Sequence, residues 1–371
     1  MMAAGPTTSA AEKKDDVPLL WEWVLVIILA LIPTLPLIVG SGIVNTRAGG
    51  DSPFLLVRVH QLVLNLRAGV FPARWMPQAA YGLGYPFFNF YASLPYYLAA
   101  GLSLLGFGYL WAIKLAQALG FVFAAMTIYG FSRELRFSRL ASLLVAFVYS
   151  CAPFHMVNVY VRGDSLSEFY AFIFFPLILW SLLRLQRQAG RENGFLASGF
   201  RSIVMVALSY AGLVLTHNIS ALIFTPFMLL YALLLIACMP ACKRLRLAVY
   251  LLLSLGIGAL FSAWFWLPIL AERGNVYLKD MTTGYFHFAQ HFRSLPGSAQ
   301  AASLVQHSPV FDWAITADRQ PFSMGLVQAL LALAGVLALL VRWTRQHHVE
   351  SDGAFLLFLL AASTFMITPC S

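Results

Sequence analysis

Long apolar runs alternate with short polar breaks along this chain, and the lengths of the runs decide its class. Apolar blocks of roughly 16 to 25 residues recur from Leu19 onward, the length a helix needs to cross a bilayer. The clear spans are Leu19–Val44, Leu110–Phe131, Leu140–Val157, Glu168–Leu185, Ser202–Thr216, Ser220–Cys238, Leu247–Leu270, Gly325–Val341 and Ala354–Ile367. Alternation with a period of two is absent, which argues against a β-barrel. The pattern predicts an all-α polytopic transmembrane bundle of about nine spans. Pro33 and Pro36 predict kinks in the first span.

Two segments do not fit this rhythm. Phe54–Arg67 is too polar to span, and it places Arg58, Gln61 and Asn65 on one helical face. It reads as a helix lying at the interface. Tyr85–Phe107 is aromatic, short in its apolar run, and broken by Pro86 and Pro95. Charge decides its fate. Basic clusters occur at Arg133–Arg139, Arg184–Arg201, Lys243–Arg246 and Arg342–His348. All four can be cytoplasmic only if Tyr85–Phe107 does not cross, so it is predicted to be re-entrant or interfacial. The resulting organisation is a disordered cytoplasmic N-terminus over 1–18 and a transmembrane domain over 19–371. That domain includes an outer loop, 45–109, and an outer cap, 271–324. No cleavable leader is evident. The chain stops at Thr368-Pro369-Cys370-Ser371, directly after an apolar run, and reads as truncated there.

Composition agrees. The chain is 60% hydrophobic and 11% charged, with a mean hydropathy of +0.77. The formal charge of +9 does not predict nucleic-acid binding, because the basic residues sit in short loops where they set orientation. The four cysteines, Cys151, Cys238, Cys242 and Cys370, lack metal-site spacing and read as small apolar residues. No phosphate-binding loop, dinucleotide fingerprint, zinc-protease motif or nucleophile elbow is present.

In so apolar a chain an acid at a membrane boundary needs a reason. Asp51 follows the first span, in Arg47-Ala48-Gly49-Gly50-Asp51. It reads either as a solvated loop acid paired with Arg47 or as a catalytic or metal-binding carboxylate. Asp164 and Glu168, in Arg162-Gly163-Asp164-Ser165-Leu166-Ser167-Glu168, lie on the same predicted side and share a helical face. Ser165 with Glu168 also matches a capping box, the plainer reading. On the functional reading Asp51 and Asp164 converge on one divalent ion, with Arg162 beside them for a phosphate. Oxygen ligands suit Mg²⁺ or Mn²⁺ rather than zinc. His217, in Thr216-His217-Asn218, is either a turn residue or a member of the same cavity. His287 and His291 are four apart, with no third ligand evident.

The stretch Gly69-Val70-Phe71-Pro72-Ala73-Arg74-Trp75-Met76-Pro77, followed by Tyr81-Gly82-Leu83-Gly84-Tyr85-Pro86-Phe87-Phe88-Asn89-Phe90-Tyr91-Ala92-Ser93-Leu94-Pro95-Tyr96-Tyr97, resembles a family of bacterial membrane proteins labelled 6-pyruvoyl-tetrahydropterin synthase-related. The Arg162-Gly163-Asp164 and Thr216-His217-Asn218 segments fit it too. The label implies no chemistry here, since a pterin synthase is a small soluble enzyme with a His-coordinated zinc. The wider architecture is similar to the GT-C glycosyltransferases, which use polyprenyl-phosphate sugars at the outer face of the membrane. That resemblance implies an inner-membrane location and a lipid-linked sugar as partner. It places Asp51 as base or acceptor-orienting group, and Asp164, with Glu168, as the second acidic motif. Arg58, Tyr91, Arg162 and His217 are then the candidates for substrate contact. The second motif departs from the family pattern in lacking a clean acidic pair. The alternatives are a non-catalytic protein that binds or moves a lipid-linked glycan, and a membrane scaffold.

Overall fold

The computed structural model describes residues 19–43, 52–163, 165–190, 199–277, 283, 287, 304–306, 308–313, 323–346 and 350–368. The 1–18 segment, most of the 271–324 cap and His291 lie outside the described residues.

The first apolar run forms α1 (Leu20–Leu31) and α2 (Leu35–Val39). Between them Pro33 falls in a 3-10 turn, Ile32–Thr34, so the expected break is present. Proline removes a backbone donor and crowds the preceding turn. Thr34 Oγ1 donates to Leu31 O at 2.7 Å and satisfies one loosened carbonyl. Next come α3 (Ser52–Arg67), α4 (Phe87–Phe90) and α5 (Leu94–Leu104). At about 1.5 Å per residue α5 is roughly 16 Å long, half the hydrocarbon thickness. It cannot cross as a helix, as the charge pattern requires.

The bundle continues with α6 (Tyr109–Glu134), α7 (Arg139–Ser150), α8 (Pro153–Tyr160), α9 (Leu166–Gly190), α10 (Phe200–Thr216), α11 (Asn218–Ala237), α12 (Ala241–Glu272), α13 (Leu326–Gln346) and α14 (Ser351–Met366). The predicted Leu140–Val157 span is two helices, because Pro153 cannot continue the backbone bonding of α7. Among the described residues seven helical segments are long and apolar enough to cross a membrane. Phe200–Thr216 and Ser351–Met366 are shorter apolar helices. Together they account for the nine predicted spans. Helix α9 packs against α6, α10 and α12 at the centre, α10 also packs against α12, and α3 and α5 pack against α6.

The two ends of the bundle differ in chemistry. At one end Glu134 accepts from Arg184 at 2.9 Å and from Arg187 and Trp180. Glu22 pairs with Arg139 at 2.7 Å, and Lys243 donates to Gly190 O. The ends of α6, α9, α1, α7 and α12 thus meet where the basic loops lie. At the opposite end Ser167 donates to Ala92 O at 3.0 Å and Asn218 to Phe90 O at 3.2 Å. Asn89 there donates to Glu272 at 2.8 Å. Both ends of α5 belong to that second end. Cysteine reporters at Gly106 and Ser138 in intact cells should therefore differ, only one of the two being open to an impermeant reagent. Equal labelling of both from outside would overturn this arrangement.

Candidate functional site

The site is built where the start of α3 meets the turn between α8 and α9. Gly163 has φ +73, a left-handed conformation that favours glycine. A side chain at 163 would overlap Ser52 Oγ, with its Cβ 3.1 Å from Ser52 Cβ and 3.4 Å from Ser52 Cα. The backbone at 163 thus lies directly against the first residue of α3. Asp51 and Asp164 lie outside the described residues, but each is bonded to one member of this contact. Gly163→Ala should disturb the contact twice, through backbone strain of about 1–2 kcal/mol and through the overlap with Ser52. We expect a lower melting temperature and a faster loss of any activity than for Gly69→Ala, also at positive φ but with open space around it. Equal effects at the two glycines would contradict the contact.

Around this contact the described candidates gather. Arg162 pairs with Glu168 and donates to Asn158 Oδ1 at 3.1 Å. The capping box does not form as drawn: Ser165 Oγ has no hydrogen-bond partner among the described residues, and Glu168 turns instead to Arg162. His217 is buried, and its Nδ1 accepts from the Ser220 backbone N–H at 3.3 Å. Ser220 Oγ lies 2.7 Å from the same nitrogen. The turn reading therefore holds for His217. It caps α11, and it feels the charges of Glu168 and Arg162. With Nδ1 accepting, the proton of the neutral ring sits on Nε2, which makes that nitrogen a donor.

Tyr91 sets its ring edge-on to His217, centroids 6.0 Å apart. Arg58 lies 6.0 Å from the Tyr91 centroid and 4.4 Å from that of Phe87. Arg58 also donates to Tyr96 Oη at 3.2 Å. A guanidinium over ring faces is held in a fixed plane while keeping its charge. The other two residues of the predicted polar face play a different part. Gln61 Oε1 accepts from Gln78 N at 2.8 Å, and Asn65 donates to Trp75 O at 2.9 Å. They secure the loop that follows α3 rather than face a ligand.

Sequence reasoning missed Asn158, Phe87, Tyr96 and the trio Arg74–Asn89–Glu272, joined through Asn89 at 3.3 and 2.8 Å. Glu272 carried a signal, being an acid at the end of a span. Asn89 carried none beyond its place in the aromatic stretch.

Among the described residues, five buried polar atoms near this end have no hydrogen-bond partner: Ser52 Oγ, Asn158 Nδ2, Ser165 Oγ, Thr216 Oγ1 and Asn218 Oδ1. Each such atom costs about 1–3 kcal/mol if left unsatisfied, so a cluster of them calls for a specific explanation. Among the described residues no group of three or more His, Cys, Asp or Glu could hold a metal. The two acids expected to bind one are outside that set. The hydroxyls of Ser52 and Ser165, next to those acids in sequence, are hard oxygen donors, which suits a cation such as Mg²⁺ or Mn²⁺.

Burial lowers the pKa of His217, opposed by Glu168 and reinforced by Arg162. The unfolded chain then binds the extra proton more readily than the folded one. Stability contributed by the neutral ring is complete above the ordinary histidine pKa and declines as pH falls through the lowered value. The melting temperature of wild-type protein should fall between about pH 7.5 and pH 5 by more than that of His217→Gln. Parallel falls would contradict this.

A family model described as "6-pyruvoyl-tetrahydropterin synthase related domain; membrane protein" matches residues 88–370. An uncharacterized protein of Lactococcus lactis subsp. cremoris (strain MG1363) is 26% identical over 218 residues, covering 58% of this chain and 33% of that protein. The fold is similar to the oligosaccharyltransferase of Archaeoglobus fulgidus. In its apo form the TM-score is 0.57 at 15% identity, covering 94% of this chain and 48% of that one. In the form tethered to an acceptor peptide containing the NVT sequon the TM-score is 0.51 at 16% identity, covering 93% and 37%. The chain thus spans less than half the length of these solved structures. The likeness is one of fold, and the fold is GT-C-like.

Proposed function

This chain belongs to the 6-pyruvoyl-tetrahydropterin synthase related family of membrane proteins, and from that premise we propose that it is a GT-C-like glycosyltransferase. It would move a sugar from a polyprenyl-phosphate donor at the outer face of the membrane. The basic end of the bundle is then cytoplasmic, with the N-terminus, and the opposite end is outer. The described residues 52–109 would then lie at that outer end.

The observation that carries this reading is the contact of Ser52 with Gly163. One peptide link, about 3.8 Å between Cα atoms, joins Asp51 to Ser52 and Asp164 to Gly163. We assign Asp51 as the base on the acceptor hydroxyl. Asp164 and Asp51 would hold the Mg²⁺ or Mn²⁺, whose part is to offset phosphate charge. Arg162, oriented by Glu168 and Asn158, would stabilise the departing lipid phosphate. Arg58, fixed over Phe87, would bind the phosphate before transfer. Tyr91 and the Nε2–H of His217 would contact the sugar. The unpartnered hydroxyls and amides described above would find their partners in the donor and acceptor.

The test is direct. Purified protein in vesicles is given labelled polyprenyl-phosphate sugars and simple hydroxyl acceptors, with and without Mg²⁺ or Mn²⁺. Transfer or slow donor hydrolysis that depends on Asp51 supports the proposal. Donor binding with no turnover under every condition would favour a glycan-binding protein instead.

A further inference from the structure

Among the described residues, the loop between α3 and α4 carries the largest aromatic exposure at the outer end. Phe71 is 71% exposed, Leu83 86%, and Tyr81 fully so; Trp75 and Tyr85 are also exposed. The loop is nonetheless tightly held. Met76 and Tyr85 form an antiparallel bridge, with bonds of 2.8 and 3.1 Å. Gln61 and Asn65 hold it from α3, and Ala73 N donates to Tyr97 Oη at 2.8 Å. Its polar bonds face inward and, apart from the buried Met76, its large apolar groups face out. At its tip Ala80 and Tyr81 have φ values of 50 and 59. Such conformations are uncommon for residues other than glycine and concentrate where function demands them. Here they turn Tyr81 wholly outward.

We propose that residues 70–85 form a membrane-interface anchor, inserted from the outer side into the lipid headgroup and upper acyl region. Three observations select lipid as the occupant. From Ala68 to Ile113 the chain carries a single charge, Arg74, and Arg74 is turned to Asn89 Oδ1 at 3.3 Å. The loop itself thus offers little charge to water or to a charged partner, and the exposed Arg67 and Arg273 stand only at its edge, where cations suit the headgroup level. The patch is also continuous with the lipid-facing side of a span. The Phe71 ring lies 6.4 Å from that of Trp264 on α12, where Leu260, Phe261 and Leu267 are exposed. Finally, Trp and Tyr bodies with polar tips partition to the headgroup level. The anchor leads directly into Phe87 and Tyr91, so it fixes the depth of the wall that holds Arg58. The inference stands on these surfaces and does not require sugar transfer.

Spin labels can measure the depth. The full chain, with its four cysteines replaced by alanine, carries a single nitroxide at Tyr81→Cys, Leu83→Cys or Tyr85→Cys in phosphatidylethanolamine–phosphatidylglycerol vesicles. Leu260→Cys serves as the lipid reference and Gln346→Cys as the water-facing reference. Power saturation with oxygen and with a nickel chelate then reads accessibility. The oxygen-to-nickel ratio at 81 and 83 should be severalfold above that at 346 and approach that at 260. The same ratio at 81 and 83 as at 346 would overturn the anchor and leave an aqueous surface for a glycan or a protein. If one variant does not insert, the labels at the other two positions measure the same depth.

Discussion

Asp51→Asn is expected to abolish sugar transfer while leaving the protein folded and inserted. The substitution keeps the shape of the side chain and removes its charge and basicity. Loss of a general base costs about 10²- to 10⁴-fold in rate, or about 3–5 kcal/mol of transition-state stabilisation. Folding should not suffer, because the contact of α3 with the α8–α9 turn is made by Ser52 against Gly163. The comparison is therefore between two readouts on one sample: turnover of a labelled lipid-phosphate donor, and thermal unfolding in detergent. Full turnover in the Asn variant would remove Asp51 from the mechanism. Loss of both turnover and melting temperature would move it to a structural role.

Arg162→Met is the second large effect. Arg162 stands beside the acid-bearing turn with its guanidinium bound to both Glu168 and Asn158. Two anchors fix the direction of the fork, and a preorganised cation facing a departing phosphate contributes about 10²- to 10³-fold. The Met variant should lose that factor mainly in kcat, since the charge of the leaving group develops in the transition state. Arg162→Lys should recover part of it, because an ammonium keeps the charge but cannot reproduce the planar fork. Glu168→Gln keeps a hydrogen-bond acceptor and should fall between them. A purely structural Arg162 would show the same losses in melting temperature and no separation of kcat from KM.

Much of this was legible in the chain, and the reason is physical. Span lengths are fixed by bilayer thickness, so the apolar runs located the helices. The failure of α5 to cross was legible from charge, because Arg133–Arg139 and Arg184–Arg201 could share a side in no other way. The structure brings those loops together through Glu134. The partners of polar residues were not legible. Ser165 and Glu168 match a local capping pattern, yet Glu168 finds Arg162, a choice set by the tertiary turn at Gly163. Arg58, Gln61 and Asn65 share a face in sequence, but that face divides between an aromatic wall and a loop clamp. Asn89 and Glu272 are far apart in the chain, and no periodicity could pair them.

The central claim is that Asp51 and Asp164 face one outer site. The most direct measurement is intramolecular cross-linking of an Asp51→Cys, Asp164→Cys double variant in vesicles, with the native cysteines replaced and a short bis-thiol reagent added. Mass spectrometry identifies the joined peptides. A Tyr91→Cys, His217→Cys pair, whose native rings lie 6.0 Å apart, serves as the positive control. The account predicts a 51–164 linked peptide in the double variant, formed as readily as the control link. Formation of the control link with no link between 51 and 164 would contradict it.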